Sequence, residues 1–126
     1  MKKILIVIAD YYEDISSSLL KSAKNNLNNF SLKTIRVPGV FEIPVTISKN
    51  IKKYDAFVAL GCVIKGETPH FDFISSASTQ SIMNLAVKSK KPIGNGIITC
   101  LNMKQAKARG KKGKEAARAV ISVLSQ

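Results

Sequence analysis

The chain has 126 residues, 45% of them apolar, which is enough for one hydrophobic core and too short to make two the expectation. Lys and Arg number 20 against 8 Asp and Glu, and the resulting formal charge of +12 favours anionic substrates or polyanions while saying nothing about fold. The longest unbroken apolar runs, Ile4 to Ala9 and Ala56 to Leu60, are far too short to cross a bilayer, and no small-residue cleavage site follows Lys2-Lys3, so a cytoplasmic protein with no membrane partner is expected.

Ile4 to Ala9 reads as a buried strand, and Asp14 to Leu27 as a helix with Ile15, Leu19, Leu20, Ala23 and Leu27 at helical spacing. Phe30 to Val37 is a second strand. Pro38-Gly39 breaks it, and Glu42 to Ile51 follows as a short helix with Ile43, Val45, Ile47 and Ile51 apolar. Asp55 to Ile64 is rich in short or branched apolar residues, as a strand buried on both faces should be. From Phe71 to Val87 the spacing becomes helical, through Phe73, Ile74, Ala77, Ile82, Leu85 and Ala86. Pro92 to Thr99 reads as a fourth strand. Helices over Met103 to Ala108 and Glu115 to Leu124 close the chain, the second with Ala116, Ala117, Val120, Ile121 and Leu124 on one stripe.

Alternating strands and helices with short connections imply right-handed crossovers and helices on both faces of a parallel sheet. The expected fold is therefore α/β: a single-domain three-layer α/β/α sandwich over residues 1–126, with a four-stranded parallel sheet in flavodoxin-like order. Cys62 and Cys100 lie in apolar strand contexts, and no second Cys/His pair has ligand spacing, so reduced buried thiols and no metal are expected. The glycines make neither a dinucleotide fingerprint nor a Walker loop, so no nucleotide cofactor is expected.

In such sheets ligands sit beyond the carboxyl ends of the strands, where Asp10-Tyr11-Tyr12, Pro38 to Glu42, Cys62 to His70 and Thr99 to Asn102 fall. The third of these segments holds the only histidine. Thr68 can cap the helix, Pro69 suits its first position, and His70 then falls in the first turn, where free amides and the positive helix end suit a phosphate and favour a neutral imidazole. A solvated histidine in a capping turn fits the same residues. Tyr11 could stack on a planar heterocycle or cover the sheet edge. Glu42 could accept hydrogen bonds from hydroxyls or serve as favourable charge at a helix start. The planar fork of Arg109 matches a phosphate better than its lysine neighbours do, although a solvated arginine is the plain alternative. Lys112 is a further possible donor in a stretch where no single lysine stands out. An aromatic, a carboxylate, a histidine at a phosphate-ready turn and an arginine are together the parts of a site for polyhydroxylated, phosphorylated substrates.

The densest basic cluster comprises Lys104, Lys107, Arg109, Lys111, Lys112, Lys114 and Arg118. Sequence-specific nucleic-acid binding would want aromatics for stacking or a groove-reading motif beside it, and neither is visible, so no specific nucleic-acid partner is expected.

The segments Val37-Pro38-Gly39-Val40-Phe41-Glu42-Ile43-Pro44 and Leu60 to Phe73, in this order and separation, resemble the lumazine synthase (6,7-dimethyl-8-ribityllumazine synthase) family, and the similarity runs from the first strand almost to the C-terminus. The resemblance implies a transferase of riboflavin biosynthesis that needs no cofactor. It condenses 5-amino-6-(D-ribitylamino)uracil with 3,4-dihydroxy-2-butanone 4-phosphate, releasing phosphate and water. Carried onto this chain, the resemblance makes Tyr11 the aromatic that stacks on the pyrimidine, and Val40, Phe41 and Glu42 the segment along the ring and ribityl chain. Cys62, Val63 and Ile64 become further contacts to that substrate. Glu67 and Thr68 become the phosphate-binding turn, His70 the proton-transfer residue and Arg109 the phosphate clamp. Asn95 stands where many members carry an aromatic, which leaves a backbone contact there. A homo-oligomer is also implied, a pentamer in the shorter-chain form, with sites between adjacent subunits that Asn95 and Arg109 complete for a neighbour. Two alternatives carry different tests: a same-fold riboflavin synthase would consume the lumazine alone, and a basic nucleic-acid-binding α/β module would catalyse nothing.

Overall fold

The computed structural model describes residues 1–126. Its four strands are β1 (Lys3–Ala9), β2 (Ser31–Val37), β3 (Ala56–Ile64) and β4 (Ile93–Cys100), and they form one wholly parallel sheet in the order β2-β1-β3-β4, the expected arrangement. The most continuous apolar runs take the centre. Ile4–Ala9 and Ala56–Val63 are buried along their whole length, whereas the edge strand β2 alternates in exposure. Register aligns the carboxyl ends: Ala9 lies opposite Val37, Ile8 opposite Leu60, and Ile64 opposite Cys100.

The two-residue side-chain period divides the core into two layers. On one face Ile4, Ile6, Ile8, Val58, Leu60 and Cys62 meet α1 (Glu13–Lys24), α4 (Met103–Ala108) and α5 (Lys112–Leu124) through Ile15, Leu19, Ala106, Ala117 and Val120. On the other, Leu5, Val7, Phe57, Ala59 and Val63 meet a 3-10 turn (Val40–Glu42), α2 (Ile43–Lys49) and α3 (His70–Ser89) through Val40, Ile43, Ile47 and Ile82. Two glycines set how closely these layers approach. A Cβ on Gly113 would strike the backbone of Leu19, so α5 lies hard against α1. A Cβ on Gly61 would stand 2.9 Å from Val40 Cγ2 and 3.2 Å from Ala9 Cβ, so the 3-10 turn settles directly on β3.

Several boundaries differ from the sequence expectation. The first helix stops at Lys24, because the chain turns at Asn25-Asn26; Leu27 is buried by that turn and not by another helical turn. The segment expected to begin a helix at Glu42 is a 3-10 turn that runs into α2, and α2 ends at Lys49. The last helix starts at Lys112, one turn before Glu115. At the start of α3, Thr68 does not cap and Pro69 is not the first helical residue. Pro69 is itself the N-cap, with φ −71° and ψ 6°, its carbonyl accepts from the Phe73 amide at 3.2 Å, and His70 opens the helix. Although α3 has 20 residues, only Ser78 and Ile82 are buried, while Phe73, Met83 and Val87 are exposed. No helix is long and apolar enough to cross a membrane.

Candidate active site

At the carboxyl ends of β1, β2 and β3 lies a cavity of about 620 Å³ whose walls include Tyr11, Val40, Phe41, Glu42, Cys62, Val63, Ile64 and His70. Eight of the residues singled out in the sequence therefore face one space. The turn after β1 is held from below: buried Ser16 donates its hydroxyl to the Ala9 carbonyl at 2.8 Å, and the Asp10 amide donates to Val37 at 3.2 Å. This lifts Tyr11 clear of the core. Its side chain is 76% exposed and meets Tyr12 edge-to-face with centroids 4.9 Å apart, so a flat ligand has access to the ring.

The second wall comes from the segment after β2. Gly39 is extended and leads into the 3-10 turn, which buries Val40 and leaves Phe41 70% exposed. Glu42 caps α2 through its backbone, and its carbonyl accepts from Thr46 Oγ1 at 2.8 Å. Its carboxylate makes no hydrogen bond or ion pair within the chain, leaving both oxygens open to hydroxyl donors.

The floor is mostly apolar, with Cys62 and Val63 buried and Ile64 partly so. Burial, and then the neighbouring Cys100, push the Cys62 thiol up to about 12, so Cys62 is a neutral wall group and no thiolate nucleophile. Burial likewise raises the Tyr12 phenol, with smaller contributions from Cys62 and Tyr11. His70 stands exposed at the first position of α3, one turn before Ile74, which also lines the cavity. No side chain caps that helix, so its first-turn amides point outward beside the imidazole. Glu67 and Thr68 are exposed in the preceding turn and line no part of this cavity. The chain enters that turn from Lys65, whose amide donates to the Cys100 carbonyl at 2.9 Å.

Asn95, Arg109 and Lys112 are elsewhere. They line a second cavity of about 570 Å³ along β4, with Thr79 of α3, Lys111 just before α5 and Glu115 in its first turn. Asn95 Oδ1 accepts from the Ile97 amide at 3.0 Å, which turns the side chain along its own strand. Arg109 closes α4 and donates Nη1 to the Thr99 carbonyl at 3.0 Å and to Cys100 Sγ at 3.8 Å. The helix that carries it is pinned at its start: the Gln105 amide donates to Asn102 Oδ1 at 2.9 Å, and Gln105 Oε1 accepts from the Leu101 amide at 2.8 Å. Lys112 pairs with Glu115 at 3.2 Å. Neither cavity contains both His70 and Arg109.

Sequence reasoning set Tyr12 and Gly39 at the strand tips, and Lys111 in the basic cluster, without giving them a role, and it passed over Ile74 in the first cavity and Thr79 and Glu115 in the second. Ile74 was within reach, being four residues after His70 on the same helical face. For Tyr12, its place directly behind Tyr11 was the only signal.

The whole chain, residues 1–126, matches the family model described as 6,7-dimethyl-8-ribityllumazine synthase. It is 43% identical over 134 aligned positions to a 6,7-dimethyl-8-ribityllumazine synthase from Rhodopseudomonas palustris (strain BisA53), covering 95% of this chain and 82% of that one. It is 44% identical over 132 positions to a protein of the same name from Bartonella tribocorum, with coverage of 97% and 87%. Among solved structures, a 3-dehydroquinate dehydratase-like protein from Bifidobacterium longum superposes with a TM-score of 0.54 at 12% identity over 100% of both chains, a likeness of fold alone.

Proposed function

The chain belongs to the 6,7-dimethyl-8-ribityllumazine synthase family, and we propose that its two cavities are the two halves of one catalytic site, joined when adjacent copies of the chain assemble. The function is that of a transferase in riboflavin biosynthesis: 5-amino-6-(D-ribitylamino)uracil condenses with 3,4-dihydroxy-2-butanone 4-phosphate, and phosphate and water leave. The supporting observation is the partition itself. The residues suited to a pyrimidine and a polyol share the strand-tip cavity, whereas the arginine suited to a phosphate lies on the far edge of the sheet.

In this reading Tyr11 stacks on the pyrimidine, and the Val40-Phe41-Glu42 turn runs beside the ribityl chain, with the free Glu42 carboxylate accepting from its hydroxyls. Cys62, Val63 and Ile64 form the dry wall. The turn at Glu67 and Thr68 and the open amides of α3 receive the phosphate, and Arg109 of the adjacent copy clamps it, with Lys112 as a further cation. Asn95 of that copy contributes backbone to the ring pocket. The 5-amino group attacks the ketone and loses water to give an imine. Loss of a proton from the adjacent carbon expels phosphate and leaves an enol, which tautomerises to a ketone; the ribitylamino nitrogen adds to that ketone and closes the second ring with loss of a second water. His70 relays these protons, a contribution of ~10²–10⁴-fold, and holding two substrates in register contributes more.

Association with further copies, which we take to be a pentamer, is supported by the apolar side chains Phe73, Met83 and Val87 left exposed along α3 and by the unpaired outer edge of β4. Two free, buried thiols fit a reducing cytoplasm. Incubation with both substrates, followed by phosphate release and lumazine fluorescence, tests the reading. Equimolar product and phosphate are expected, with no consumption of lumazine supplied alone; absence of both products overturns it.

A further inference from the structure

We propose that the groove between α1 and the turn joining α4 to α5 is a docking site for the phosphate backbone of a nucleic-acid duplex, without regard to base sequence. This is independent of the condensation chemistry. The groove encloses about 350 Å³, and Lys21, Lys107 and Lys111 converge on it beside Ser18, Asn25 and Gly110, with no acidic residue among its walls. All three lysines are exposed, and none forms an ion pair; the chain's two ion pairs are Arg36–Asp10 and Lys112–Glu115. The helices that frame the groove also carry Lys24, Lys104, Lys114 and Arg118, and the one acid after residue 100, Glu115, is already engaged by Lys112.

The groove is also preformed. Ser22 Oγ donates to the Gly110 carbonyl at 2.8 Å, and Ser18 packs where a Cβ on Gly110 would sit, so the α4–α5 turn is seated on α1 before any ligand arrives. Lys21 and Lys107 line neither catalytic cavity, which leaves them without a task in the reaction, while Lys111 stands where this groove meets the second cavity. Their chemistry selects the partner. Ammonium groups on flexible stems, with hydroxyl and amide donors between them, suit repeated phosphates. No aromatic lines the groove, so bases have nothing to stack on and single-strand recognition is disfavoured. A protein partner would want an apolar or aromatic anchor, and the groove has only Ala108 to give.

The test is fluorescence anisotropy of short labelled DNA duplexes of two unrelated sequences, titrated with the intact protein over a range of salt. Equal affinities are expected, falling with salt. Lys21→Ala with Lys107→Ala should reduce the slope of log K against log salt by about 1.8, at ~0.9 for each phosphate no longer neutralised. The double variant Lys52→Ala with Lys53→Ala removes the same charge from the exposed turn after α2 and should leave the slope unchanged. Both variants should keep full condensation activity. Equal reductions in the two variants would reduce the effect to net charge and overturn the site, as would absence of binding or tighter capture of poly-glutamate than of either duplex.

Discussion

At the floor of the strand-tip cavity, Cys62 shows how burial decides what a side chain can do. Its thiol holds its proton up to about 12 in the fold, against an ordinary 9.0, so the folded chain binds a proton that the unfolded chain gives up first. The sign follows from linkage: the stabilisation is complete below pH 9 and is lost as pH rises from there towards 12. Thermal melting followed from pH 8 upward should therefore show a decline above pH 9 that is shallower in Cys62→Ala than in the parent. Two other residues separate by kinetics. His70→Ala is expected to lower kcat by about 10²–10⁴-fold and still leave measurable turnover, since positioning survives it. Arg109→Ala is expected to raise KM for the butanone phosphate by roughly 10–100-fold, the worth of a charge-assisted hydrogen bond, with little change for the uracil substrate. Steady-state kinetics with each substrate varied in turn would reveal the reverse ranking if the roles are exchanged. Their candidacy was legible from residue type and position, Cys62 near the end of β3, His70 in the turn beyond it and Arg109 in the basic segment after α4. The neutrality of Cys62 was legible only as burial, since the proximity of Cys100 depends on the β3–β4 register.

Among the elements, the 3-10 turn at Val40–Glu42 and the α1–α5 contact are the ones whose position the site depends on. Gly61→Ala would push a methyl group into Val40 and lift the turn that carries Phe41 and Glu42. It is expected to cost about 1–3 kcal/mol, as overpacking does, and to weaken binding of the uracil substrate; urea unfolding and KM measure the two effects. Gly113→Ala meets backbone at Leu19, which cannot move aside as a side chain can, so its loss of stability should be the larger of the two. Element types followed from periodicity, but ends did not. The apolar stripe through Leu27 disguised the turn at Asn25-Asn26, and a Thr-Pro-His run reads as cap and first turn although the ψ of Pro69 leaves it outside the helix. That displacement still leaves the first-turn amides of α3 without a side-chain partner.

For the molecule as a whole, strand order was legible because short β–α–β connections permit few right-handed topologies, and β2-β1-β3-β4 is one of them. The separation of His70 from Arg109 was not derivable from their order along the chain. Both follow strand tips, and only three-dimensional placement puts one group over the centre of the sheet and the other beyond its β4 edge. If Arg109 clamps the phosphate for an adjacent copy, as proposed, the exposed apolar residues of α3 have a functional as well as a structural reason to be covered. The most direct measurement is to co-express the Glu42→Gln and Arg109→Ala variants in equal amounts, purify the mixed assembly and assay lumazine formation. If each site takes one cavity from each neighbour, about a quarter of all interfaces in the mixed assembly should carry both intact halves, and activity should rise well above that of either variant alone. Activity equal to the mean of the two separate variants would mean that each chain builds its whole site by itself, contrary to the division described.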